Sequence, residues 1–518
     1  MLADRRLQRS IANIQQRAER LEDPGVLVAT FVDTGAIVQL ENTSNQILFG
    51  RRGSGKTHVL RVLREQARDA ITVYIDCRVL GSSGHYSAEV GERRKAAGLF
   101  RDIAHEVSNA LLETATELVD ADQAERALNL LGELDDCLFN PQFPPPARAT
   151  IRRGSERRGG STVSGEASIS TRPLSVSGGI DRSAGATESL AYEVVAEERI
   201  NFGYVNELLA RALEALGGRR LLLLIDEWAE IESPEQPFVA EYLKKAFFAN
   251  PKVTVKIAAL EYRSNFNTRQ DRGLLGLEIG GDIFAAADLD DYFLPDRNPD
   301  QVQAAYAQLL TRHLASNAED DVLHELRISE GNIQSRLFTQ APVFNELVRA
   351  SEGVPRDFIN IFVQAAFDAL RRSRDTIDMQ SISNAARKWY EQDKRRNLSE
   401  EQQEVLQRIV GEVIGEKKAR CFMIEQAHAE HAMVKSLYDL RVIHRLKAGY
   451  SGRDQPGVRY DIYALDYGTY LDLKNTAGEP DPDFVVLEGN AVGDDIAVPF
   501  DDHRSIRRII LTPDLLQT

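Results

Sequence analysis

Eight consecutive residues, Gly50-Arg51-Arg52-Gly53-Ser54-Gly55-Lys56-Thr57, have the spacing of a turn that cradles phosphate. Its glycines let the backbone wrap an oxyanion with successive N–H groups, and the helix that follows adds its positive end. Lys56 would reach the outer phosphates of a nucleoside triphosphate, and Thr57 would offer its hydroxyl to Mg2+. Gly50, Arg51, Arg52, Gly53, Ser54, Gly55, Lys56, Thr57 and His58 are therefore the expected cofactor contacts. Far along the chain, Leu221-Leu-Leu-Leu-Ile ends in Asp226-Glu227. A run this apolar suits a strand buried on both faces. Two carboxylates at its end need a partner, because buried unpaired charge is costly. Magnesium supplies one. Asp226 would hold the metal, most simply through water, and Glu227 would orient and polarise the attacking water. The expected ligand is ATP with Mg2+, and a carboxylate at Glu227 points to hydrolysis.

The elements that position these residues follow from hydrophobic periodicity. Gln46–Phe49 is a short apolar strand running into the glycine turn, and His58–Arg68 reads as a helix. Ala70–Asp76 and Val253–Leu260 are further strands, and Gly25–Val32 is strand-like. Arg94–Thr116, Asp122–Leu131, Asn201–Leu216 and Glu241–Ala249 read as helices, as does the charged Asp4–Leu21. Strands alternating with helices imply an α/β fold with a parallel sheet. Asp300–Tyr390 reads as helices alone.

At Asn140 the composition changes to proline, then to a Gly/Ser/Arg-rich stretch over Arg152–Ser189. Alternation such as Thr162-Val-Ser-Gly-Glu-Ala-Ser-Ile-Ser allows either a disordered linker or a β-hairpin insertion. The division expected is 1–40 lead-in, 41–295 nucleotide-binding core with the insertion at about 140–195, 296–396 helical lid, 397–476 C-terminal module, and 477–518 tail. That tail is acidic except at His503–Arg508.

The chain has 518 residues, 63 basic and 79 acidic, for a net charge of −16. Such acidity excludes indiscriminate coating of nucleic acid, so any such contact needs a local basic surface. Its longest apolar runs are far too short to cross a bilayer, and no apolar signal core opens the sequence. Cys77, Cys137 and Cys421 are widely separated, which fits a reducing compartment and argues against a cysteine metal site. A cytoplasmic protein without membrane contact is expected. No second catalytic centre is evident: there is no HExxH spacing and no GxSxG elbow, and His428 with His431 has no third ligand.

The order of phosphate loop, Asp-Glu strand, polar-ended strand and helical lid resembles the AAA+ superfamily, specifically its origin-recognition (Orc) initiator clade. The resemblance covers about residues 40–470. It implies a parallel-sheet P-loop core, a helical lid and a C-terminal winged helix. Glu261, Arg263 and Asn265 follow the Val253–Leu260 strand, where the clade senses γ-phosphate; Arg263 is favoured. The clade usually has Asn or Ser there, and a basic residue resembles the STAND signalling ATPases instead. Glu352-Gly-Val-Pro-Arg356 is similar to the Gly-x-Pro-Arg start of a lid helix, which makes Arg356 a nucleotide contact. Phe422–Glu425 as a short strand, a helix over His428–Val442, and two strands around the Gly449–Gly457 loop resemble a winged helix. Arg269 and Arg272 lie where an arginine finger acting in trans is expected, which implies a homo-oligomer.

Arg441, His444, Arg445, Lys447, Arg453 and Arg459 would give the wing a positive face for double-stranded DNA, with Tyr450 able to stack. The alternative is a signalling or scaffolding ATPase, for example in antiviral defence, that recruits an effector protein partner. A third possibility makes the insertion a hairpin that lines a ring pore or meets another subunit.

Overall fold

The computed structural model describes residues 1–14, 23–82, 91–139, 200–271, 273–293, 299–318, 322–417, 419–451, 457–469, 471 and 509–516. The insertion at 140–195, Arg272, Arg453, the His503–Arg508 segment and most of the tail lie outside these residues.

The chain folds as a parallel-sheet α/β core, a helical lid and a C-terminal winged-helix-like module. In the core, β1 (Gln46–Phe49), β2 (Ala70–Asp76), β3 (Arg220–Asp226) and β4 (Val253–Ala259) are the strands expected from sequence. A hairpin follows, β5 (Asn267–Gln270) with β6 (Gly273–Gly276), and then β7 (Phe284–Asp288). The sheet order is β2-β3-β4-β1-β7, parallel throughout. Every residue of β4 is buried, as is every residue of β3 after Arg220, which is why both are apolar without alternation. A buried leucine here contributes about 2 kcal/mol, and Leu223→Ala would cost about 3 kcal/mol through the cavity it leaves.

Because the strands are parallel, their carboxyl ends share one edge of the sheet. Phe49 is in register with Ala259 on one side and Asp288 on the other. That edge is where open α/β sheets bind ligands. The opposite end is pinned by Lys256, a buried cation of β4. Its ammonium donates to the carbonyls of Asn42 (2.9 Å) and Ser44 (2.8 Å) and to Gln46. Burial lowers its pKa to about 7.

Several sequence expectations are corrected. Residues 25–32 do not form a strand: Pro24–Thr30 is a helix, with proline at its first position and Asp23 as N-cap. The Arg5–Ala12 helix buries Leu7 and Ile11 in the lid's core, beside Leu310, Phe358 and Phe362. The C-terminal module has the three strands expected of it, β8 (Cys421–Glu425), β9 (Ile443–Ser451) and β10 (Arg459–Leu465), in the order β8-β10-β9. The helix expected over His428–Val442 is two, Gln426–Ala429 and Ala432–Asp439, because His431 caps the second through its ring. Ile509 and Leu511 of the tail bond to Met423 and join this module's core. No helix among the described residues is long and apolar enough to cross a membrane.

Candidate nucleotide site

The phosphate loop leaves β1 and enters the Lys56–Gln66 helix, with Gly50, Gly53 and Gly55 all at positive φ. At Gly53 a side chain would meet Arg356 Cβ at 2.8 Å, so only glycine lets the lid approach. Lys56 is buried and donates to the carbonyls of Gly50 (2.7 Å) and Arg51 (3.0 Å). Burial lowers its pKa, opposed by Glu227, Asp290 and Asp226. The Ser54 hydroxyl is buried in the loop with no protein partner. An orphaned donor inside such a loop suits a phosphate oxygen.

Asp226 ends β3 fully buried, accepting from the Tyr74 hydroxyl at 2.7 Å and from the Glu227 N–H at 2.8 Å. Glu227 sits at φ 54, a left-handed conformation that turns its side chain off the strand line. Such strain in a non-glycine residue persists only where its surroundings enforce it. Burial and then Asp226 raise its pKa, while Lys56 and Arg78 counter. The Arg78 guanidinium is 4.0 Å from the Glu227 carboxylate. The hydroxyl residue, the buried carboxylate and the acceptor-only chemistry of Asp226 fit a magnesium ion held between Thr57 and Asp226.

The lid meets the loop directly. Pro355–Arg371 begins with the Arg356 N–H donating to the Gly53 carbonyl at 3.2 Å. Arg356 also lowers the pKa of Lys56 by its charge. The sequence therefore brings Lys56, Thr57, Asp226, Glu227 and Arg356 to one edge of the sheet.

Residues 15–77, which include the loop, match the ORC-CDC6-like family. The chain resembles the Orc-type AAA+ ATPases. Similar solved structures include the Aeropyrum pernix ORC2 protein in ADPNP–ADP complexes, at 10% identity over 89% of this chain and 95% of that one, TM-score 0.32. Drosophila ORC bound to DNA is 13% identical over 92% of each chain, TM-score 0.29. Cdc6p from Pyrobaculum aerophilum is 12% identical over 88% of this chain and 97% of that one, TM-score 0.27. No curated protein matches the sequence.

Other expected residues are placed differently. Arg51 is buried against Asp290, His444 and Glu352, which take up its guanidinium. Arg52 pairs with Glu230 at the surface. His58 bonds the Leu27 carbonyl at 2.7 Å and packs edge-on with Phe31, so its ring anchors the Pro24–Thr30 helix. Arg263 is exposed, and its charge acts on Asp439 of the winged module. Glu261 takes both guanidinium nitrogens of Arg445 (2.9 and 2.6 Å), with Tyr262 beneath. Arg441 is buried against Asp357 and Asp393, and His444 against Arg51 and Asp466. Three of the six residues expected to face DNA thus join the domains to one another. Lys447 and Arg459 stay exposed, Lys447 above the Tyr450 ring.

Sequence reading passed over Tyr74, Asp288 and Asp290. Asp288 ends β7, and Asp290 follows it to accept from the Arg51 N–H at 2.9 Å. The strand signal was weak because Phe284-Ala-Ala-Ala-Asp has no β-branched residue.

Proposed function

We propose that this chain binds ATP with magnesium between the phosphate loop and the lid, hydrolyses it, and acts as a nucleotide-driven switch. The convergence of Lys56, Asp226 and Glu227 under the Arg356 end of the lid supports this most directly. Lys56 would leave the loop carbonyls for the outer phosphates, which restore the charge that burial disfavours. Thr57 and Asp226 would hold magnesium, which when bound neutralises phosphate charge. Tyr74 and the Glu227 N–H fix the Asp226 carboxylate. Glu227, ionised, would take a proton from the attacking water, and its raised pKa makes it a stronger base once deprotonated. Arg356 would contact the nucleotide from the lid. Arg269, exposed on β5, would act as the arginine finger on a neighbouring copy in a homo-oligomer.

The winged module would contact double-stranded DNA through Lys447, Tyr450 and Arg459. In this arrangement the Ala432–Asp439 helix, the one a helix-turn-helix inserts in a groove, faces the core through Tyr438 and Lys435. That inward seating of Arg441, His444 and Arg445 favours a second reading, in which the ATPase answers to a protein and activates a partner effector.

The deciding experiment measures ATP hydrolysis with and without duplex DNA, with Glu227→Gln as the blank. Stimulation lost on Lys447→Ala with Arg459→Ala supports DNA engagement. Hydrolysis indifferent to DNA moves the function to a protein-triggered switch, and tight ATP binding by Lys56→Ala would refute the site itself.

A further inference from the structure

The two adjacent arginines of the phosphate loop run in opposite directions. Arg52 lies at the surface, whereas Arg51 is 4% exposed and touches all three units of the chain. Its Nε is 3.1 Å from Asp290 in the core. Its Nη2 donates to the Glu352 carbonyl of the lid at 3.0 Å, and its Nη1 to His444 Nδ1 on β9. A guanidinium only donates, so His444 Nδ1 must accept and the ring proton must sit on Nε2. That proton is donated to Asp466 at 2.9 Å. Burial pushes His444 down to about 3, which keeps the ring neutral in this relay.

From Asp466 the relay continues through buried charges. Lys394 of the lid bridges Asp466 and Asp357 (3.2 Å), Arg441 binds Asp357, and Arg420 binds Glu352. Two of its members are held in a strained backbone: Glu352 has φ 51 and Arg441 φ 58. Both follow the end of a helix, at the left-handed position that glycine normally fills. Charged residues persist there only if the surrounding contacts enforce them.

A network of this kind does not loosen gradually. Removing one partner leaves a buried charge uncompensated, so the module is either seated with its pairs made or parted with water on all of them. Such an element has two discrete arrangements that a ligand can bias.

We infer that Arg51 is a positioning residue through which the seated winged module holds the phosphate loop in its nucleotide-accepting shape. Nucleotide occupancy and module seating therefore stabilise each other, and by linkage each strengthens the other by the same factor. The inference rests on nucleotide binding at Gly50–Thr57. It adds that the C-terminal module, whose His444 lies 393 positions from Arg51 in sequence, is part of that site.

The test uses the full chain carrying Glu227→Gln, a fluorescent ATP analogue and magnesium, with and without His444→Ala. The analogue's Kd is expected to rise roughly tenfold with His444→Ala, within the range of ordinary coupled sites. Hydrogen–deuterium exchange of the 441–446 amides is expected to slow when nucleotide binds the parent chain, and to ignore nucleotide in the His444→Ala chain. A histidine that merely packs would lower Tm and leave that protection in place. An unchanged Kd in folded His444→Ala overturns the inference, and so does nucleotide binding by the parent chain without protection at 441–446. Should His444→Ala not fold, the parent chain's exchange decides alone. Absence of binding by the parent chain would overturn the nucleotide site and this inference together.

Discussion

The phosphate loop and the wing are both rich in basic residues, yet they relate to their sequences in different ways. At the loop, Lys56, Thr57, Asp226 and Glu227 stand where the motifs put them, on one edge of the sheet. At the wing, Arg441 and Arg445 are turned inward onto acidic partners of the lid and core, and His444 onto Arg51 of the core. A loop motif encodes its own geometry, since glycines fix the turn and a strand and helix fix its ends. A basic residue on a small module encodes only charge, and whether it meets solvent, DNA or a carboxylate depends on what packs against that module.

The largest expected effect breaks the loop side of this contrast. Lys56→Ala should weaken ATP binding by about a hundredfold, the worth of a strong charge-assisted contact, as read by calorimetric titration. Glu227→Gln should keep binding and lower the hydrolysis rate by at least about a hundredfold, the usual share of a general base. If it retained the parental rate, Glu227 would not be the base.

On the wing side, Arg441→Ala should destabilise the chain by about 3 kcal/mol, because buried Asp357 keeps only Lys394 of its two cationic partners. Chemical denaturation checks this, and a change below about 1 kcal/mol would mean that Arg441 behaves as a surface residue. Lys447→Ala with Arg459→Ala should leave Tm unmoved and lower DNA affinity severalfold at low salt, with a shallower salt dependence.

The smallest expected effect concerns Asp288, beside the loop. Burial, helped by Asp290, raises its pKa from 3.8 to about 7. Between these values the folded state holds a proton that the unfolded chain has released, so this residue's contribution to stability declines as pH rises through that window. Asp288→Asn should therefore gain Tm at pH 8 relative to pH 5, and equal shifts at both pH values would count against the buried carboxyl.

Legibility in the sequence followed how local the determinant was. The four strands β1 to β4 were evident from apolar runs, and the loop from its spacing. By contrast, β7 was missed because alanine carries no strand preference, although it supplies the sheet's edge beside the loop. Gly25–Val32 has an apolar content that suits a strand, but Asp23 and Pro24 cap and start a helix, and tertiary packing against His58 keeps it.

By itself the sequence determined the phosphate loop, the paired carboxylates and the alternation that makes a parallel sheet, because each is set by spacing within a few residues. Only the tertiary structure decided that Arg51 and Arg52 part company, that three wing residues bind the core and lid, and that Asp290 and Glu352 stand beside the loop. Those outcomes depend on burial, and the partner of a buried charge is chosen by which distant segment the fold brings within reach.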